Sequence, residues 1–181
     1  MAQKVFKHAI DYAQVKVHKR PYIVGAGSNA MTPNGQMYFP AAYCKPDFSM
    51  ERDRYKVWFI HEMTHVWQYQ LGYGVLRCGV LIAIKGGYWA GSGQRLGRAY
   101  RYDAVADAGK PMAAFNMEQQ GELISHYFDA RYLHGDGTAA RATHIKHMDF
   151  YMSALANFLD DPADASLLPN TTRIKSGARI L

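Results

Sequence analysis

Apolar positions along the chain keep two different periods, and the change between them divides it. Val15 and Val17 alternate with Lys16 and His18 on the way to Pro21, the two-residue period of a half-exposed strand. Val5 to Ile10 before them fits a short helix. Met31-Thr32-Pro33-Asn34-Gly35 has the composition of a turn, and Gln36-Met37-Tyr38-Phe39 after it reads as a second strand, stopped by Pro40. From about Arg52 the period lengthens. Val57, Ile60, Met63, Thr64 and Trp67 recur at helical spacing, and Gly72 is a natural stop, which predicts a long helix over 52–71. A second long helix is expected from Pro111 to about Leu133. Gly135-Asp136-Gly137 should break it before a third, from about Thr138 to Leu159. Val80-Leu81-Ile82-Ala83-Ile84 fits a buried helix or a buried strand equally well. The pattern predicts an α+β fold, a short strand layer packed on helices, as a single domain over 1–181 with an irregular tail from about residue 160.

Composition agrees with a self-supporting core: 49% of the 181 residues are hydrophobic. The most apolar run, Val75 to Ile84, is short and interrupted by Arg77 and Gly79, so no membrane span is expected. The N-terminus has early positive charge but no apolar segment or small-residue cleavage site, and a classical secretory signal is therefore not expected. Cys44 and Cys78 lie far apart and outside any Cys-x-x-Cys spacing, which leaves ordinary thiols or a single disulfide. A formal charge of +6 permits attraction to nucleic acid, phospholipid or cell-wall polymer, but Lys and Arg are scattered and no nucleic-acid motif accompanies them. No nucleic-acid partner is expected.

His61-Glu62-Met63-Thr64-His65 changes this picture, because residues four apart share one helix face and both imidazoles can then reach one metal ion. Glu62 sits about 100° around the helix from His61, off the metal yet near enough to take a proton from metal-activated water. Shuffling this composition, with its eight His and four Glu, produces the pattern on the order of one time in a hundred. The apolar flanks Phe59-Ile60 and Val66-Trp67 imply burial, where two imidazoles and a carboxylate need a metal or hydrogen-bond partners.

Catalytic zinc takes three protein ligands and keeps a fourth position for water. Of the remaining glutamates, Glu51 precedes the motif helix, while Glu118 and Glu122 lie one turn apart on the second long helix among apolar Phe115, Ile124 and Phe128. One carboxylate can bind the metal and the other can hydrogen-bond a ligand imidazole. Either residue can fill either role on spacing alone. His144 and His147 have no accompanying carboxylate and read as surface or core-edge histidines. His126, Tyr100, Tyr102 and Tyr127 are candidates to assist a transition state, though packing explains any one of thirteen tyrosines.

The motif helix followed by a downstream Glu-x-x-x-acid helix resembles the gluzincin metallopeptidases, whose second motif is usually Glu-x-x-x-Asp; here the last acid is Glu122. Ala30–Gly35, Phe59–Gln68 and Phe115–Gln120 are further similar to VgrG- and Rhs-related bacterial proteins and to the metallopeptidase-like extension of some type VI secretion spike proteins. The likeness spans about residues 9 to 133. It implies a small zincin-like domain in which Zn2+ is held by His61, His65 and Glu118, Glu62 is the general base, and Glu122 supports His61. It also implies an effector made in the bacterial cytoplasm and delivered into a competing cell, the periplasm favoured, to hydrolyse protein or peptide substrates, with a spike protein and a cognate immunity protein as partners. The strand at Gln36–Phe39 could then pair with an extended substrate. The alternative is a non-catalytic, zinc-stabilised binding module on a secretion spike.

Overall fold

The computed structural model describes residues 1–23, 29–89, 97–134 and 139–174. These are mostly helical. One two-stranded parallel sheet joins β1 (Val17–His18) to β2 (Met37–Tyr38) with Val17 opposite Met37, and Met31 bridges to the other side of Tyr38. The helices are α1 (Gln3–Phe6), α2 (Asp53–Gln70), α3 (Val75–Ile84), α4 (Met117–Tyr132), α5 (Ala139–Lys146), α6 (Met148–Ala154) and α7 (Ala156–Asp160).

The predicted apolar stripe is the buried face of α2: Ile60, Met63, Thr64 and Trp67 are all fully or almost fully buried. The helix ends as its sequence requires. Gly72 takes φ +93°, its N–H donates to the Tyr69 carbonyl, and the Tyr73 N–H donates to the Gln68 carbonyl, which together satisfy the last carbonyls of the helix. Helix α4 packs along α2 and carries Leu123, Ile124 and Phe128 into the same core, which α1, β2 and α7 close with Phe6, Met37 and Phe158. A smaller apolar cluster, Val75, Ile82, Ala99 and Met117, seats α3 against the start of α4.

One open alternative closes and three expectations change. The apolar run at 80–84 is helical, part of α3. The second long helix starts at Met117, because Asn116 and Gln119 form a reciprocal capping box there, whereas Pro111 precedes a separate 3-10 turn at Met112–Ala114. The third helix is three helices, which meet at His147 and Leu155. The expected break at Gly135-Asp136-Gly137 lies outside the described residues. Finally, β2 has no edge for a substrate: the Met37 and Phe39 N–H groups donate to Lys16 and His18, and that of Tyr38 to Met31. Cys44 borders the main core and Cys78 the smaller cluster, both as free thiols.

Candidate metal centre

Two helices bring the centre together. Helix α2 presents His61 and His65 on one face, with ring centroids 5.0 Å apart. Helix α4 lies close enough to meet them because residue 121 is glycine: a Cβ there would stand 2.7 Å from His61 Cε1 and 2.8 Å from Nδ1. Glu118, one turn earlier, then reaches both rings. Its Oε2 lies 3.1 Å from His61 Nε2 and 3.2 Å from His65 Nε2, and all three side chains are buried. Tyr88 donates to the other oxygen, Oε1, at 2.8 Å, so Glu118 offers a single oxygen to the histidines.

The protonation of the rings follows from their outer partners. Gln120 Nε2 donates to the Met112 and Leu167 carbonyls, which leaves Gln120 Oε1 to accept from Gln68 Nε2 at 3.0 Å. Gln68 Oε1 must then accept from His65 Nδ1, 2.8 Å away. The Nδ1 of His61 likewise faces an acceptor, Glu122 Oε1 at 3.1 Å. With both Nδ1 atoms donating outward, both Nε2 atoms face Glu118 Oε2, where either ring protons or a cation shared by the three atoms can balance the carboxylate. A tetrahedral ion bonded at about 2.0–2.1 Å holds its ligand atoms about 3.3 Å apart. The observed separations of 3.1 and 3.2 Å fit that spacing, and the ligand atoms of the three residues all lie within 4.8 Å of one another. The group can hold a metal ion.

Electrostatics agree with the geometry. Burial alone would raise the Glu118 and Glu122 carboxyls, but the facing histidines outweigh it and hold both well below the ordinary carboxylate range. Burial also pushes the Tyr88 and Tyr100 hydroxyls up, and the charge of Glu118 adds to it, so both remain donors. Glu62 accepts from Thr32 Oγ1 at 2.6 Å and lines the same hollow as His61, His65 and Glu118. Two hollows meet at His61, Glu62 and Tyr100: one of about 370 Å³, whose far wall is α3 with Leu76, Val80 and Ala83, and one of about 300 Å³, bordered by Arg54, Glu122, Ser125 and His126.

The five residues expected from sequence, His61, Glu62, His65, Glu118 and Glu122, therefore lie together. Other candidates part company. His126 bonds Glu122 at 3.0 Å and Tyr102 at 2.7 Å, and Tyr100 stands 5.9 Å from His61, ring to ring. His144 turns to Asp129 and stacks on His126, His147 lies between α5 and α6, and Tyr127 packs in the core beside Tyr132. Sequence reasoning missed Thr32, Gln68, Tyr88, Gln120 and Gly121. Gln68, three residues after His65 on the same helix face, could have been found by spacing; Tyr88 and Thr32 carry no local signal.

No family model matches the chain. In Pseudomonas aeruginosa, the type VI secretion system spike protein VgrG2b is 35% identical over 141 residues, which span 77% of this chain and 13% of the spike protein. The solved effector domain of VgrG2b superposes with a TM-score of 0.60 at 30% identity, over 86% of this chain and 76% of the domain. The chain belongs to the VgrG2b effector-domain family. That family membership covers the α2–α4 framework on which the His61, His65 and Glu118 group is built, while this chain spans only a small part of the length of the spike protein it matches.

Proposed function

We propose that this VgrG2b-type domain is a zinc-dependent metallopeptidase of zincin-like, gluzincin kind, in which His61, His65 and Glu118 hold the metal and Glu62 is the general base. The supporting observation is the convergence of two imidazole Nε2 atoms on one carboxylate oxygen, each ring oriented from behind by a separate acceptor. Bound zinc supplies Lewis acidity, which polarises a carbonyl and lets water lose a proton near neutral pH. Thr32 fixes one oxygen of Glu62, and the carboxylate takes the proton from the attacking water and passes it to the departing amine. Tyr100, between the two hollows and held protonated, donates to the oxyanion. Glu122 keeps the Nδ1 proton of His61 in place. The aliphatic wall of α3 favours an apolar side chain beside the scissile bond.

By analogy with the spike protein that carries its relative, the domain acts as a type VI secretion effector in the envelope of a target cell, with a spike protein and an immunity protein as partners. The decisive experiment measures metal content and peptide cleavage together. Wild-type protein should hold one zinc per chain and cleave a proteome-derived peptide library, and Glu62→Gln should keep the zinc and lose cleavage by about 10²-fold or more. Full activity without zinc, or undiminished activity in Glu62→Gln, would overturn the proposal. Zinc binding with no cleavage and with toxicity retained in Glu62→Gln would favour the binding-module alternative.

A further inference from the structure

Helix α3 has three faces, and among the described residues only two of them are covered or line a hollow. Val75, Gly79 and Ile82, spaced i, i+4, i+7, turn inward, where Val75 and Ile82 are almost fully buried. Leu76, Val80 and Ala83 line the larger hollow. The remaining face carries Arg77, Leu81 and Ile84, continued by Lys85, and all four are exposed. Ile84 is 77% exposed, and so is Trp89, which a turn at Gly86 holds just beyond the helix end. Neither Leu81, Ile84 nor Trp89 borders either hollow at the metal centre, so substrate binding does not account for them.

The chain segment that carries this face has charge of one sign: from Met63 to Tyr102 the sequence contains no Asp or Glu, and Arg77 and Lys85 of that segment are exposed. Lys85 bonds only neutral Thr172, and among the described residues neither Arg77 nor Lys85 forms an ion pair. An exposed aliphatic stripe with flanking basic residues and an exposed tryptophan is the chemistry of a helix that lies in a bilayer interface, its apolar side chains among the acyl chains and its cations at anionic headgroups. At ten residues, α3 is too short to span a bilayer, and no helix among the described residues is long and apolar enough to do so.

We infer that the outer face of α3, with Trp89, docks this domain onto an anionic lipid surface. Docking there would set the mouth of the larger hollow beside the membrane, because the adjacent face of the same helix is the wall of that hollow.

The test is vesicle flotation of the zinc-loaded chain at physiological salt, with phosphatidylglycerol–phosphatidylethanolamine vesicles against phosphatidylcholine vesicles. It is run on Glu62→Gln as well as wild type, so its outcome is independent of any peptidase activity. Both proteins should float with the anionic vesicles and stay behind with the zwitterionic ones. Ile84→Glu and Trp89→Glu should each lower the partition coefficient roughly tenfold or more, and Arg77→Glu should weaken binding in a salt-sensitive way. These side chains are exposed, so zinc content and circular dichroism should not change. No flotation, equal flotation with both vesicles, or flotation unaffected by Ile84→Glu and Trp89→Glu would overturn the inference. So would light scattering that finds a wild-type dimer made monomeric by Ile84→Glu, since the face would then belong to a second copy of the chain.

Discussion

His65 turns its Nε2 to the centre because two backbone carbonyls, of Met112 and Leu167, dictate how Gln120 and then Gln68 are oriented. The orientation of this candidate ligand is thus set by residues behind it in the packing. Gln120→Leu should free Gln68 to rotate and cost zinc affinity about 10- to 100-fold, the usual penalty for losing an outer hydrogen bond to a ligand. Glu122→Ala should fall in the same range, since it removes only the partner of His61 Nδ1. Glu118→Ala should lose more, because it removes a ligand oxygen itself. Titration of the variants against a chromophoric chelator ranks them, and a larger loss at Glu122 than at Glu118 would exchange their roles. All three of these residues are buried or nearly so, which makes affinity, measured with circular dichroism as a control of folding, the informative readout.

At the scale of elements, the centre depends on how closely α4 approaches α2 and on what fixes the two. Gly121→Ala would place a methyl group within 2.8 Å of the His61 ring, against a side chain held at both nitrogens. It should destabilise the fold by about 1–3 kcal/mol, the range for overpacking, and weaken zinc binding as the helices separate. A second fastening lies beyond it. Arg141 of α5 bonds Asp53 at the start of α2 at 2.7 Å and Asp129 of α4 at 2.8 Å, and Asp129 also accepts from His144 at 2.7 Å. Asp129→Ala takes a buried carboxylate partner from buried Arg141, and denaturant unfolding should show a loss of about 3–5 kcal/mol. Spacing made α2 and its motif legible in the sequence, down to the Gly72 stop. The start of α4 was harder to see, since Pro111 is a plausible helix opener and only the capping box of Asn116 with Gln119 decides against it.

For the whole molecule, the same cluster predicts how stability depends on pH. Burial, aided by neighbouring His126, holds the His144 pKa below its ordinary 6.5 although Asp129 opposes the shift. The unfolded chain therefore binds that proton first as pH falls, so the stabilisation is complete above about pH 6.5 and is lost on acidification through the lower folded value. Asp129 is lowered too, by His144 and Arg141 acting against burial, and its contribution is present above the ordinary 3.8 and is lost as pH falls through its lower folded pKa. Thermal melts of His144→Gln against wild type should lose part of the decline below pH 6.5 and keep the decline below pH 4. Unchanged slopes in both windows would remove His144 from the account.

The sequence by itself determined the local features: the period of α2, the i, i+4 pair of histidines with Glu62 between them, and the two glutamates one turn apart on α4. These follow from helix geometry, which acts over a few residues. Spacing alone could not say which glutamate meets the Nε2 atoms, because both carboxylates share a face and the answer depends on the height at which α4 crosses α2. That height is set by Gly121, a residue with no side chain to announce itself. Thr32 on Glu62, Tyr88 on Glu118 and Gln120 behind Gln68 come from segments that only the packed structure brings into contact. The exposed face of α3 belongs to this second kind. Its apolar run reads as core in the sequence, and only the position of α3 at the rim of the hollow leaves Leu81 and Ile84 in solvent.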